Sequence, residues 1–362
     1  MTGSAAPRVQ RVRMADGTKS WTVVRADGLP VEPVDQFLGY LQCLPRSPNT
    51  VVAYAYDLRA FIEFLDGYGL TWDGVEVDHL ARFVRWLEQP AGNVVLLHGA
   101  EPARSRATVA RAVNTVHAFF DYHATRGVPV ARRLVSFSRT PKPHWRNSHR
   151  TGRSVRRAVT VGVPKQAPQT LAPEQVQALL DACRHKRDRF LLAVLYETGM
   201  RVGQALGLRH EDFVSRHRLV RIVPRDNPNG ARAKTTAHHE ICISGELVRL
   251  YSDYMVDEYG TLESDFVFVN LWGRPQGHAM TRSGINELTR ALRARTGIAF
   301  TPHMLRHTNA TELERMGVPI EVISARLTHA SLSTTVKTYI HIGVEEQRRA
   351  LEKAGFWPAV EW

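Results

Sequence analysis

The sequence predicts a mainly α-helical protein with a small antiparallel β-sheet, divided into two domains. Three features of its 362 residues carry this reading. Apolar residues recur at helical spacing four times between residues 34 and 120. A basic, proline-bearing stretch without a single acid then interrupts the pattern. Beyond it, helical periodicity returns around two short apolar runs that flank an Asn-Gly turn. Length agrees, because a chain of this size favours two cores over one.

The elements follow in order. Residues 1–30 are weakly patterned and read as an N-terminal extension, with a short strand at Trp21–Arg25. A helical domain spans 31–128. Its first helix carries Phe37, Tyr40 and Leu41 on one face, and Pro45 and Pro48 break it. Asn49 or Thr50 can cap the second, which has Val51, Tyr54, Leu58, Phe61 and Leu65 in register. The third begins after Asp78 with Leu80, Phe83, Val84 and Leu87; the fourth carries Val109, Val113, Val116 and Phe120. Residues 129–168 read as a basic linker. The second domain, 169–362, opens at Thr170-Leu171-Ala172-Pro173-Glu174, with Pro and Glu in the first turn of a helix. Leu219–Val223, Ile241–Ser244 and Phe266–Val269 read as strands, and Asn229-Gly230 makes a hairpin of the first two.

Composition narrows the function. Hydrophobic residues are 43% of the chain and no run of 18 occurs, so no membrane-spanning helix is predicted. Met1 to Gln10 has no apolar core of a secretory signal. Cys43, Cys183 and Cys242 are few and scattered, as buried thiols of a cytoplasmic protein would be. Net charge is +13, and Tyr122 to Pro173 holds no Asp or Glu. Arg132, Arg133, Arg139, Lys142, Arg146 and Arg150 lie in that stretch. A solvated surface mixes its signs, so a polyanion is the expected partner, bound with strong salt dependence. Arg82, Arg85, Arg106 and Arg111, off the apolar stripes of the helical domain, are candidates for the same ligand, although ordinary solvated arginines would look alike.

The chemistry-bearing residues lie in the second domain. His303, Arg306, His307 and Ala310 share one helical face by their i, i+3, i+4, i+7 spacing. His329 follows, and then Tyr339, the single tyrosine after Tyr259. A phenol is a poor nucleophile with an ordinary pKa of about 10, so it needs cations to hold a phosphate and absorb developing charge. Upstream, Gly199 ends one helix and Arg201 starts another, where a guanidinium can fork onto two phosphate oxygens. Alone, Arg201 would be a surface arginine near a helix end. His303 and His307 also have zinc-helix spacing, but Met304 stands where a metalloprotease carries Glu, so no metal is expected. His307 reads as a core histidine, and His238-His239 as solvent-facing.

Taken together, Arg201, His303-x-x-Arg306, Leu327-Thr328-His329 and the segment Thr334 to His341 around Tyr339 resemble the tyrosine recombinases, or phage-integrase family. The match runs in order through 170–345, and the four helices before it resemble the family's core-binding domain. Tyr196 to Arg201 and His303 to Thr308 are most similar to the transposase A members. The resemblance implies a two-domain recombinase architecture clamped on double-stranded DNA. It implies that Tyr339 attacks the scissile phosphate to give a 3′-phosphotyrosyl link, and that Arg201 and Arg306 clamp its non-bridging oxygens. His303 then assists proton transfer from the tyrosine, His329 hydrogen-bonds the phosphate, and Lys234 protonates the leaving 5′-oxygen, with Arg232 as its neighbour and rival. The covalent link conserves the phosphodiester's energy, so no cofactor is implied.

The family also implies a homotetrameric synapse, a monomer or dimer off DNA, and accessory proteins in transposition. Two departures stand out. Gln204 occupies a position where the family often has Glu, and Tyr339 follows His329 by ten residues where many members have nine. An extra residue in the Ser331–Thr335 turn accommodates the second. A type IB topoisomerase would use similar groups, and a silent accessory DNA-binding protein could keep the fold. The tail after Val344 reads as an amphipathic helix ending at Gly355, and its aromatics Phe356, Trp357 and Trp362 favour docking on a neighbouring subunit, as in the family's exchange of C-terminal helices.

Overall fold

Four helices with the expected apolar faces form the core of the N-terminal half: α1 (Glu32–Cys43), α2 (Pro48–Tyr68), α3 (Val77–Glu88) and α4 (Arg106–Thr125). The computed structural model describes residues 6–13, 17, 19–44, 48–89, 104–128, 135–138, 154–164, 168–233, 237–328 and 344–356. The chain divides into two units, Met1–Lys165 and Gln166–Trp362. In the first, Val34, Phe37, Leu38 and Leu41 of α1 are buried. Leu38 completes that stripe; Tyr40, placed on it by the sequence, is 45% exposed and stacks on Tyr122 instead. Phe61 meets Phe83 and Phe120 edge-on at 5.2 and 5.8 Å. Burying each such ring contributes about 1.5–3 kcal/mol, so these rings anchor α2, α3 and α4 together. Helix α2 starts at Pro48, which puts Asn49 and Thr50 inside its first turn rather than at its cap. Proline is tolerated there because that N–H has no intrahelical partner.

Two segments differ from their sequence reading. Residues 1–30 are not merely an extension: β1 (Arg8–Arg13) and β2 (Lys19–Val24) pair antiparallel, and Val23 is fully buried in the helical core. The stretch 129–168 is not a bare linker either. Within it, β3 (Val135–Ser138) pairs with β4 (Ser154–Arg157), Val135 opposite Arg157. Val159 and Val161 then pack on the helices, and Arg157 donates to Asn114 and Asp121. Four-residue strands give too little alternation to be told from a loop.

The second unit begins with α5 (Pro173–Asp181), α6 (Lys186–Thr198) and the single turn α7 (Val202–Ala205). A three-stranded antiparallel sheet follows, in the order β5 (Phe213–Val214), β6 (Leu219–Ile222), β7 (His239–Cys242). The hairpin read from Asn229-Gly230 is β6–β7, with Leu219 opposite Cys242 and Ile222 opposite His239. Asn229 pins the connecting loop by donating to the carbonyls of Leu206 and Met280. Phe266–Val269 is not a third strand of this sheet. It makes only bridges, Arg209 to Phe266 and Val269 to Ala279, and Val267, Phe268 and Val269 are buried. A fully buried apolar run has no periodicity to distinguish strand from core loop.

Helices α8 (Gly245–Tyr254), α9 (Arg282–Thr296), α10 (Pro302–Arg315) and α11 (Ile320–Arg326) complete the unit with α12 (Val344–Lys353). Helix α12 corrects the docking expectation. Leu351 and Phe356 are buried against this unit's own Cys242, Leu313, Val322 and Ile323, and the buried Gln347 donates to the Glu240 carbonyl. Its i, i+4 stripe meets an apolar groove already present in the same unit. Trp357 and Trp362 lie outside the described residues. Of the cysteines, Cys242 is buried and Cys183 partly so, but Cys43 is exposed, not a buried thiol.

Candidate active site

The site is assembled where α6 ends, α7 begins and α10 and α11 pass beneath them. Gly199 terminates α6 with φ +62°, and a Cβ there would lie 2.5 Å from Leu327 and 2.8 Å from Asn309. Only glycine supplies both the left-handed turn and this close approach. The turn aims the Gly199 carbonyl at Arg306, whose Nη1 donates to it at 2.6 Å while Nη2 donates to the Leu327 carbonyl at 2.5 Å. Arg306 is thus buried, 3% exposed, and ties three elements together. Burial, reinforced by Arg201, lowers its pKa to about 10, which leaves it a full cation at neutral pH.

Arg201 stands one turn away at the start of α7. Its Nη1 donates to the Thr328 hydroxyl at 3.1 Å and to the Thr328 carbonyl at 3.4 Å. Gln204 takes the place of the expected acid: its Oε1 accepts from the Arg201 backbone N–H at 2.7 Å, and its Nε2 donates to the Thr328 hydroxyl at 3.0 Å. Burial lowers the Arg201 pKa. Among the described residues neither Arg201 nor Arg306 is ion-paired, whereas Arg225 and Arg232 are, with Asp212 and Asp226. Two adjacent cations held only by neutral acceptors form a ready anion site.

His303 sits in the first turn of α10, exposed, with its ring 4.4 Å from that of His307. Partial desolvation of the ring, then His307, Arg306 and Arg201, lower its pKa, which favours the neutral imidazole. His307 is half-buried and its pKa is lowered by burial and by Arg306.

Below the cations lies a buried framework that the sequence did not reveal. Arg326, fully buried, donates to the carbonyls of Glu197 and Cys242, and Asn309 donates to the same Glu197 carbonyl. The Glu197 carboxylate accepts from the N–H and hydroxyl of Ser244, and burial pushes its pKa up. These bonds lock α6, α10, α11 and the sheet. Each joins residues far apart in sequence, so no local pattern marks them.

Lys234, His329 and Tyr339 lie outside the described residues, but the chain leading into the first two is placed. A Cβ on Gly203 would come within 2.6 Å of the Arg232 carbonyl, so α7 seats the loop leading to residue 234. Thr328, the Arg201 partner, immediately precedes residue 329. Of the arginines expected to face DNA, Arg82, Arg85 and Arg106 are exposed. Arg111 is half-exposed and bound to Asp57 at 2.9 Å. Arg132, Arg133, Arg139, Lys142, Arg146 and Arg150 lie outside the described residues.

Comparison with known proteins identifies the family. Residues 169–346 match the phage integrase family, and residues 34–127 match the phage integrase N-terminal SAM-like domain. Transposase A from transposon Tn554 of Staphylococcus aureus is 36% identical over 330 residues, covering 89% of this chain and 91% of that protein. The chain belongs to the phage integrase family. It is a tyrosine recombinase, an enzyme of DNA strand transfer. Tyrosine recombinase XerC of Mycobacterium tuberculosis is 28% identical over 334 residues, 90% of this chain and 97% of that one. Among solved structures, the Tn1549 transposon integrase in complex with transposon right end DNA superposes with a TM-score of 0.56 at 16% identity, over 89% and 99% of the two chains. XerH bound to its difH substrate gives 0.52 at 19%, over 83% and 79%. At such identities the two structures establish a shared fold.

Proposed function

We propose that this recombinase cuts and rejoins double-stranded DNA at a specific site through a 3′-phosphotyrosyl bond to Tyr339, as a transposase of the A type. The observation that carries the proposal is the convergence of Arg201 and Arg306 on the consecutive carbonyls of Leu327 and Thr328. Both guanidiniums keep their charge, and both abut the residue that leads into His329. In this reading they hold the two non-bridging oxygens of the scissile phosphate, whose charge grows in the transition state. The Tyr339 oxygen forms the new P–O bond and its proton passes to the neutral His303. The bond to the 5′-oxygen breaks, and that oxygen takes a proton from Lys234. His329 donates a hydrogen bond to the phosphate. Religation is the reverse with a new 5′-hydroxyl, so energy is conserved without nucleotide.

Support for DNA as partner comes from the structural relatives, solved with transposon and difH DNA, and from the acid-free, basic run Tyr122–Pro173. Arg82, Arg85 and Arg106 would grip the backbone, and the working assembly would be a homotetramer on two paired sites.

Suicide-substrate trapping tests this. A nicked site is selected by binding and incubated with wild type and Tyr339→Phe without added metal. A covalent band on the 3′ side of the nick, from wild type alone, is expected. A band that survives Tyr339→Phe refutes the nucleophile. Relaxation of supercoiled DNA lacking any specific site, with no recombinant between paired sites, would instead mark a topoisomerase.

A further inference from the structure

Thr328 ends α11 with φ +51°, a backbone region that favours glycine and crowds a β-branched side chain. Among the described residues only Arg218 is another non-glycine with positive φ, and it is not β-branched. A residue kept in so unfavourable a conformation calls for a reason in its side chain. The hydroxyl provides one. A threonine oxygen has two acceptor lone pairs, and here Arg201 Nη1 donates to it at 3.1 Å and Gln204 Nε2 at 3.0 Å. Both lone pairs are engaged. Thr328 is 7% exposed and Gln204 3%, so water competes poorly for either bond.

We propose that Thr328 is a positioning residue for strand cleavage, its hydroxyl fixing the Arg201 guanidinium against the scissile phosphate while Gln204 holds that hydroxyl in place. The inference rests on the reading of Arg201 as a phosphate ligand. The bracket is neutral. A carboxylate partner would orient the guanidinium as well, yet it would also offset the charge the phosphate is meant to meet. Glycine at 328 would relax the backbone but leave Arg201 only the Thr328 carbonyl, at 3.4 Å near the limit of a hydrogen bond. The sequence retains the strained residue and with it the stronger interaction.

The test compares single-turnover cleavage of the suicide substrate by the full chain carrying Thr328→Gly, Thr328→Val, Thr328→Ser or Arg201→Ala. Melting temperature and DNA affinity are measured beside each rate. Thr328→Gly should melt at or above wild type and bind DNA within about twofold, yet cleave about tenfold more slowly, the scale of one charge-assisted hydrogen bond. Thr328→Val, which keeps the branching and removes only the hydroxyl, should be slowed alike, and Thr328→Ser should recover to within about threefold of wild type. Wild-type cleavage by both Thr328→Gly and Thr328→Val overturns the proposal. So does a loss in Thr328→Ser equal to theirs. Wild-type cleavage by Arg201→Ala is a different failure: it removes the phosphate-ligand reading on which the inference stands.

Discussion

The helical unit and the catalytic unit both fasten arginines to buried partners, but with opposite electrostatics. In the helical unit Arg111 donates to Asp57, whose other carboxylate oxygen accepts from Thr115, each at 2.9 Å. Cation and anion sit together, and the pair links α2 to α4. Burial still raises the Asp57 pKa despite Arg111, so the carboxylate needs its donors to stay charged. In the catalytic unit Arg201 and Arg306 are held by carbonyls and a hydroxyl, and their charge is left unbalanced by any described carboxylate. A neutralised arginine holds a fold together. Arg326 too is held by neutral carbonyls, but it is fully buried and serves the fold, whereas Arg201 is partly exposed and, in the proposed reading, kept for a phosphate. The catalytic unit contains the control for this contrast, since Arg225 pairs with Asp212 away from the site.

Substitutions sharpen the contrast in decreasing order of effect. Arg306→Ala should lower the single-turnover cleavage rate by about 10²–10³-fold, as removal of a donor to a developing oxyanion does, and Arg306→Lys should recover little because an ammonium cannot fork onto two carbonyls. Cleavage by Arg306→Ala within tenfold of wild type would break the comparison. Asp57→Ala should do the reverse. It should cost about 1–3 kcal/mol in denaturant unfolding, by leaving the buried Thr115 hydroxyl unmatched, while folded protein cleaves at the wild-type rate.

Smaller still are the exposed arginines of the helical unit. Arg82→Ala, Arg85→Ala and Arg106→Ala should each weaken binding to all DNA sequences alike. The slope of log K against log salt should fall by about 0.9 for each phosphate that is no longer neutralised. A change confined to one sequence would assign that residue to base readout.

The gentlest probe is pH. Cleavage that needs a neutral His303 falls as pH drops through its pKa, and the causes acting on that ring (burial, then His307, Arg306 and Arg201) all lower it. The acid limb should therefore lie below the ordinary histidine value of about 6.5. His307→Gln removes one of the downward influences, so the midpoint should move to higher pH. An unmoved midpoint in a cleavage-versus-pH profile would separate His303 from the proton transfer.

Much of this protein is written locally. Phe37 and Leu41 announce α1 although Tyr40, read on the same face, is exposed; Asn229-Gly230 announces β6–β7, and Arg201 with His303-x-x-Arg306 announces the candidate site and the family. The sequence succeeds there because helix period, turn chemistry and motif spacing are properties of neighbouring residues. It fails where a segment's partner is remote. Val23 reads as part of an extension, Val135–Ser138 as linker and Phe266–Val269 as a strand, because burial by distant residues leaves no local period. Phe356 reads as free to dock elsewhere, yet the groove beside Cys242 and Leu313 claims it.

Residue order alone sets which cations the chain carries, the succession in which they come, and the helices that present them. It took long-range packing to bring Gln204 and Thr328, 124 positions apart, into one hydrogen bond over Arg201. The same packing lets Glu197, Asn309 and Arg326 lock the helices beneath the site. A side chain's chemistry travels with its residue, but its orientation is set by contacts that exist only once the remote parts of the chain have packed together.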